Sequence, residues 1–234
     1  MNKLLVALTL LFTISCSKSD ATIDDARKSL EEQYPNIQIS SLTRIDQDFF
    51  EVKVGEEIYY LTLDLKHLIA GNIIEMSTGN NITENSYKKT RLDYLSQISD
   101  DDVIVYASAN SKHTLTIFSD TSCPYCQKLH NEIPDLLENN IEIRYVLFSR
   151  NGNDVDAYQQ LVSAWCSADK VDALEDLFAG DILDDISNCE NPIARNFDYA
   201  GSLSVEGTPT IFLEDGRIIP GYQNYENILA FINK

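Results

Sequence analysis

Positive charge is scarce in this chain: 18 lysines and arginines stand against 37 aspartates and glutamates, a formal net charge of −19. So acidic a chain repels phosphate backbones, which argues against a nucleic-acid partner. Glycine and proline are sparse too, at nine and six in 234 residues, too few for a collagenous or linker-like polymer. Histidine occurs only as His67, His113 and His130, and Cys-x-x-Cys only once, so the four ligands of a structural zinc site are lacking. Beyond the first sixteen residues no apolar run is long enough to cross a bilayer as a helix, which takes roughly 20 residues. What remains is an ordinary globular balance, 44% hydrophobic and 24% charged, in a chain long enough for two small domains or one large one.

Residues 1–16 read as a secretory signal peptide: Met1-Asn2-Lys3 gives a positive start, and Leu4 to Ile14 forms a short apolar run. A buried N-terminal helix is the alternative. Thr13-Ile14-Ser15-Cys16 resembles the bacterial lipobox, with Thr13 where leucine is usual. Cleavage before Cys16 would expose it as a candidate lipid anchor, whereas cleavage after Ser17 would discard it. Either way Cys16 drops out of the disulfide count and leaves an even four, in an exported and oxidising setting where paired thiols persist.

A first segment spans residues 21–81. Ile23, Ala26 and Leu30 predict a helix that ends at Tyr34-Pro35, and β-rich runs follow at Ile37–Ile45, Phe49–Val54, Ile58–Leu63 and Leu68–Met76. So small a sheet has a marginal core of its own and an open edge that a second copy could cover. Residues 82–102 read as a linker containing a short helix marked by Leu92, Leu95 and Ile98, and Asp100 to Asp102 as a solvated turn. Residues 103–234 then alternate strand and helix, with an α-rich insert at about 153–203. In this part Pro134 should kink the helix after Cys126, and one helical pattern runs from about Asp154 to Phe178. Glu214-Asp215-Gly216 signals a hairpin.

The chemistry concentrates in Cys123-Pro124-Tyr125-Cys126, directly after the buried-type strand Leu115–Phe118 and at the start of a helix. A sulfur at a helix N-terminus meets unsatisfied N–H groups, which favour thiolate over thiol. Cys123 is therefore the expected nucleophile and Cys126, three residues on, the resolving thiol. Haem attachment is excluded because Gln127, not histidine, follows the second cysteine. Lys128 and His130 are read as ordinary polar-face residues. Cys166 and Cys189 are the remaining cysteines. A bridge between them would close a loop worth about 3 kcal/mol; two unpaired thiols are the alternative.

The run from Phe118 to His130 resembles the active-site segment of the periplasmic thiol:disulfide interchange family of DsbC and DsbG. The likeness continues through Ile143-Arg144-Tyr145, Trp165-Cys166, Gly207-Thr208-Pro209 and Pro220 to Gln223, and covers the first segment around Tyr60 to Gly71. The resemblance implies a mixed α+β and α/β architecture. A small cystatin-like N-terminal dimerisation domain, with His67 and Gly71 at the dimer contact, would be followed by a linker helix. A thioredoxin-like catalytic domain with a helical insertion would complete the chain. It further implies a cis-proline loop in which Thr208 and Pro209, with Tyr125, contact the substrate, and a structural Cys166–Cys189 disulfide of the DsbC kind. The Pro-Tyr dipeptide between the active cysteines is that of DsbG instead. Ile117 stands about where thioredoxin keeps a buried aspartate, so proton transfer would use water or another group.

The expected function is isomerisation of wrong disulfides in misfolded exported proteins by a periplasmic homodimer, free or lipid-tethered. A DsbD-like membrane reductase would keep it reduced, and neither a cofactor nor a metal would be required. The alternatives are a DsbG-like reductase of sulfenylated cysteines and a chaperone or holdase with secondary redox activity.

Overall fold

A computed structural model describes residues 20–45, 47–153, 156–184 and 186–233; the signal-like run and Cys16 lie outside the described residues. Two compact units divide between Gly71 and Asn72.

In the first unit, α1 (Ile23–Gln33) begins with a reciprocal cap. The Thr22 hydroxyl accepts from the Asp25 N–H at 3.1 Å, and the Asp25 carboxylate accepts from the Thr22 N–H at 3.0 Å. Four strands follow as an antiparallel meander in chain order: β1 (Ile39–Ile45), β2 (Phe49–Val54), β3 (Glu57–Thr62) and β4 (Leu68–Ala70). Ala26 and Leu30 of α1 pack on Leu42, Phe50, Val52 and Leu61, which closes a small core on one face of the sheet. The strand expected over Leu68–Met76 is shorter, because Gly71 adopts φ +145° and leads the chain out of the ladder after Ala70. β4 is left as an edge, with Leu68 exposed.

The second unit opens with the two-residue ladder of β5 (Ile74–Glu75) and β6 (Asn80–Asn81), followed by α2 (Ile82–Leu95). Residues 72–81, read from the sequence as the end of the first segment, thus cluster with the second. The Asn81 side chain accepts from the Glu84 N–H at 3.0 Å, which starts α2 inside the stretch that reads as linker. Asp100–Asp102 form a 3₁₀ turn. Its last residue departs from the solvated turn expected there: Asp102 is buried and bound by Arg195.

The remaining elements are β7 (Ile104–Tyr106), β8 (His113–Ser119), α3 (Pro124–His130), α4 (Ile133–Glu138), β9 (Ile141–Leu147), α5 (Asp156–Cys166), α6 (Lys170–Ala179), α7 (Ile193–Ser202), β10 (Thr210–Leu213), β11 (Ile218–Pro220) and α8 (Tyr225–Ile232). The sheet order is β11-β10-β8-β9-β7, with only β8 and β9 parallel. Side-chain alternation sends Leu115, Ile117, Ile143 and Tyr145 to one core with Leu129, Leu136 and Ile228. Phe118, Val146 and Phe212 face the other, against Ala200 and Leu203. Both faces of the central strands are therefore covered, which is why they read as nearly continuous apolar runs.

Two expected helices are divided. Pro134 does not kink one helix but sits in the first turn of a separate one, α4, where its missing N–H costs nothing. The pattern expected from Asp154 to Phe178 breaks after Cys166, and Asp169 caps α6 by accepting from the N–H groups of Val171 and Asp172, each at 3.1 Å. Gly216 lies in the β10–β11 turn at φ +80°, and a Cβ there would stand 2.7 Å from the Lys88 carbonyl of α2. Arg91 of α2 also donates to the Gly216 carbonyl at 3.2 Å, so α2 is seated on this turn. Among the described residues no helix is long and apolar enough to cross a membrane.

Candidate active site

The chain leaves the core at the end of β8 through Asp120-Thr121-Ser122, and the Asp120 side chain is fully buried. One Asp120 oxygen accepts from the Ser122 N–H at 2.9 Å and from its hydroxyl at 2.7 Å. The other accepts from the Arg150 N–H at 2.9 Å and from its Nε at 3.1 Å. These four bonds fix the turn that delivers Cys123 to the N-cap position of α3, with Pro124 directly after it. The turn also holds the Arg150 guanidinium where it feels the charge of both cysteine sulfurs.

Cys123 and Cys126 are unpaired thiols, each 1% exposed. Their environments tune them in opposite directions. Burial pushes the Cys123 thiol up, but hydrogen bonding from Thr208, from the N–H groups of Cys126 and Tyr125 at the helix start and from the Cys126 thiol outweighs it. Cys123 therefore lies below the ordinary cysteine value. Burial dominates at Cys126 and pushes it up to about 11, against weaker help from Asp120, Ser119 and Thr208. One sulfur is thus prepared as a thiolate while its neighbour stays a thiol.

The loop opposite carries the cis peptide Thr208–Pro209. It is held by the Thr210 hydroxyl, which donates to the Gly207 carbonyl at 2.7 Å, and by the Gly221 N–H, which donates to the Pro209 carbonyl at 2.9 Å. The Cys123 thiol donates to the Thr208 carbonyl at 3.4 Å. The Thr208 hydroxyl oxygen is buried with no nitrogen or oxygen partner, leaving its O–H available to a thiolate. Tyr125 stands out beside this pair, 63% exposed.

The other expected positions lie elsewhere. Cys166 and Cys189 are joined by a disulfide that ties the end of α5 to the loop before α7. In the first unit, His67 and Gly71 flank the exposed edge strand β4. His130 overturns its expected place on a polar face: it is 7% exposed, stacked on Phe178 with ring centroids 4.1 Å apart. Lys128 is exposed, its ammonium 4.4 Å from the Tyr222 ring centroid.

Residues 100–234 match the family model of a thioredoxin-like domain, and residues 17–84 that of the disulfide bond isomerase protein N-terminal domain. The chain is 33% identical to the thiol:disulfide interchange protein DsbC of Salmonella typhimurium over 239 residues, spanning 100% of this chain and 97% of that protein. The chain belongs to the DsbC family. The Escherichia coli K12 DsbC is likewise 33% identical, over 78% of this chain and 76% of its own. A disulfide interchange protein from Neisseria gonorrhoeae, solved by crystallography, aligns with a TM-score of 0.52 at 26% identity, covering 58% of this chain and 96% of its own. The activity is that of the DsbC family, disulfide isomerisation by thiol–disulfide exchange. The first unit lies within the match to its N-terminal domain, which runs on to residue 84, and the second unit contains its thioredoxin-like domain.

Three residues of this DsbC-family site escape the sequence reading. Asp120 is visible there only as part of a polar turn, and its partner Arg150 lies 30 positions downstream, at the exit of β9. His130 does leave a signal: Cys126, Leu129, His130 and Ile133 recur at helical spacing, which puts the histidine on the buried face.

Proposed function

We propose that the chain works in the periplasm as a homodimeric disulfide isomerase in which Cys123 attacks and Cys126 resolves. The observation that carries this reading is the opposed tuning of the two sulfurs beside the Thr208 carbonyl. The Cys123 thiolate attacks a client disulfide, forming a mixed disulfide and releasing one client thiolate. A second client thiolate can then attack the client sulfur of that bond, which returns Cys123 and leaves the client rearranged without net oxidation. Alternatively Cys126, on losing its proton, attacks the Cys123 sulfur; the pair is oxidised and the client leaves reduced by two electrons.

Tyr125, Thr208 and Pro209 would receive the client. A depression of about 420 Å³ beside the loop, lined by Glu206, Gly207, Thr208 and Pro220, offers room for an extended segment. The exposed β4 edge, with His67 and Gly71 at its ends, supports pairing of two copies through the N-terminal domain. A DsbD-like membrane reductase would return the pair to the dithiol, and Cys16 would tether the protein if it is lipidated.

Refolding of scrambled ribonuclease tests the chemistry. The wild type should restore ribonuclease activity, Cys123→Ala should restore none, and Cys126→Ala should keep isomerisation while losing reductase turnover on insulin. A wild type that only suppresses aggregation, with Cys123→Ala equally effective, would make the protein a holdase. For the assembly, sedimentation of the wild type should give a dimer and Leu68→Asp a monomer; a monomeric wild type would refute the pairing.

A further inference from the structure

Cys123 and Thr208 lie 85 positions apart, and their 3.4 Å contact persists only if both segments are held to a common frame. On the loop side, the Gly221 N–H donates to the Pro209 carbonyl at 2.9 Å, which ties the cis-proline loop to the end of β11. Gly221 stands at φ +79°, and the next residue, Tyr222, reaches the junction of α3 and α4.

At that junction Glu132 stands in the N-cap position of α4, just beyond the end of α3. One oxygen of its carboxylate accepts from the Tyr222 hydroxyl at 2.7 Å, and the other accepts from the Tyr225 N–H at 3.2 Å. The first is a short, charge-assisted bond. The second satisfies one of the open donors in the first turn of α8. α3 holds the same tyrosine by its ring, with the Lys128 ammonium 4.4 Å from the centroid. Hydrogen bonding to Glu132 raises the Tyr222 phenol above its ordinary value, so it stays protonated and donates across the neutral range. These contacts close a ring. It runs from Cys123 along α3 to Glu132, across to Tyr222, through Gly221 to Pro209, and by Thr208 to the sulfur again.

We propose that the Glu132–Tyr222 contact is a latch that positions the cis-proline loop against the attacking sulfur. The inference rests on the reading that Cys123 attacks beside Thr208. Glu132 and Tyr222 act through Thr208 rather than on a sulfur, and both are positioning residues. With the latch closed, Thr208 is held where its side chain lowers the Cys123 thiol, and Thr208 and Pro209 stand at a fixed distance from α3. With the latch open, the loop keeps its bond to Gly221 but is no longer pinned to the α3–α4 junction. The sulfur then loses part of the help from Thr208 and keeps that of the Tyr125 and Cys126 N–H groups at the helix start. The effect is therefore partial, smaller than deletion of the Thr208 hydroxyl itself.

The test is the pH dependence of Cys123 alkylation by iodoacetamide on the full, reduced chain. In the wild type the rate should rise through an inflection below the ordinary cysteine value and reach an alkaline plateau. Tyr222→Phe should move the inflection upward and slow alkylation near pH 6 by about threefold. Its plateau should match the wild type, which also reports a native site. Glu132→Ala should slow alkylation at least as much, and the double variant should be no slower than Glu132→Ala alone, because both changes remove one contact. Tyr199→Phe, which deletes a hydroxyl bonded to the Gln97 carbonyl against the opposite core, should overlay the wild type. A Tyr222→Phe profile that overlays the wild type would overturn the latch, and so would additive slowing in the double variant. Should Glu132→Ala not fold, the comparison of Tyr222→Phe with Tyr199→Phe decides alone. Failure of the underlying reading looks different: Cys123→Ala would then be alkylated as fast as the wild type.

Discussion

The Thr208 carbonyl accepts a hydrogen bond from the Cys123 sulfur at 3.4 Å, across 85 positions of sequence. A reactive thiol and a backbone acceptor thereby share one small patch. The side chain of the same threonine helps to hold the Cys123 thiol below the ordinary cysteine value, so one residue serves the attacking sulfur twice.

Thr208→Val keeps the carbonyl and the shape but removes the hydroxyl. A hydrogen bond to a charged group contributes about 1.5 kcal/mol, so the Cys123 thiolate should become about tenfold scarcer in mildly acidic solution. Alkylation by iodoacetamide at pH 6 should slow by that factor, while the denaturation midpoint stays near wild type.

Arg150→Ala should destabilise the catalytic unit by about 3 kcal/mol, because it strands the buried Asp120 carboxylate without its cation. Asp120→Asn should cost less, since an amide oxygen still accepts from Ser122. Urea denaturation of the three proteins gives the ranking.

Removing the Cys166–Cys189 bridge with a double alanine substitution should lower stability by about 3 kcal/mol, from the loop it closes in the unfolded chain. Trp165 precedes one of the two sulfurs and lies under the Lys170 ammonium at 3.7 Å, so its fluorescence should report the loosening. Alkylation of Cys123 should be unaffected in the folded double variant.

His130 makes stability depend on pH. Its folded value lies below the 6.5 of an ordinary histidine, so between the two the unfolded chain binds more protons. Its contribution is therefore complete above 6.5 and is lost as the pH falls through the folded value. The urea midpoint of the wild type should drop between pH 7 and pH 5, and His130→Gln should flatten that slope.

The reactive pair is legible because its spacing is local: a strand-type run, a three-residue offset and a following helix lie within one stretch from Leu115 to Ile133. The antiparallel strands of the first unit are legible for the same reason, as short apolar runs between breakers. Long-range relationships leave a weaker trace. Arg150 meets Asp120 only because parallel β8 and β9 bring their ends together, and composition carries no sign of that. His130 is polar by type, and what buries it comes from α6 and β9, two elements that meet α3 only in the folded chain. The helix breaks at Asn131 and Ser167 arise from capping and proline placement, details finer than the apolar period that announces the helices.

Gly216 makes the connecting helix part of the catalytic platform. With no side chain at that turn, the Lys88 carbonyl comes close and Arg91 reaches the glycine oxygen. Extra residues spliced in at the Gly71–Asn72 seam would be absorbed upstream of this seat. A single residue added inside α2 would rotate Lys88 and Arg91 away from the turn and disturb the hairpin that supports the cis-proline loop. The seam is thus the natural place to graft or exchange N-terminal modules, with the exchange chemistry kept intact.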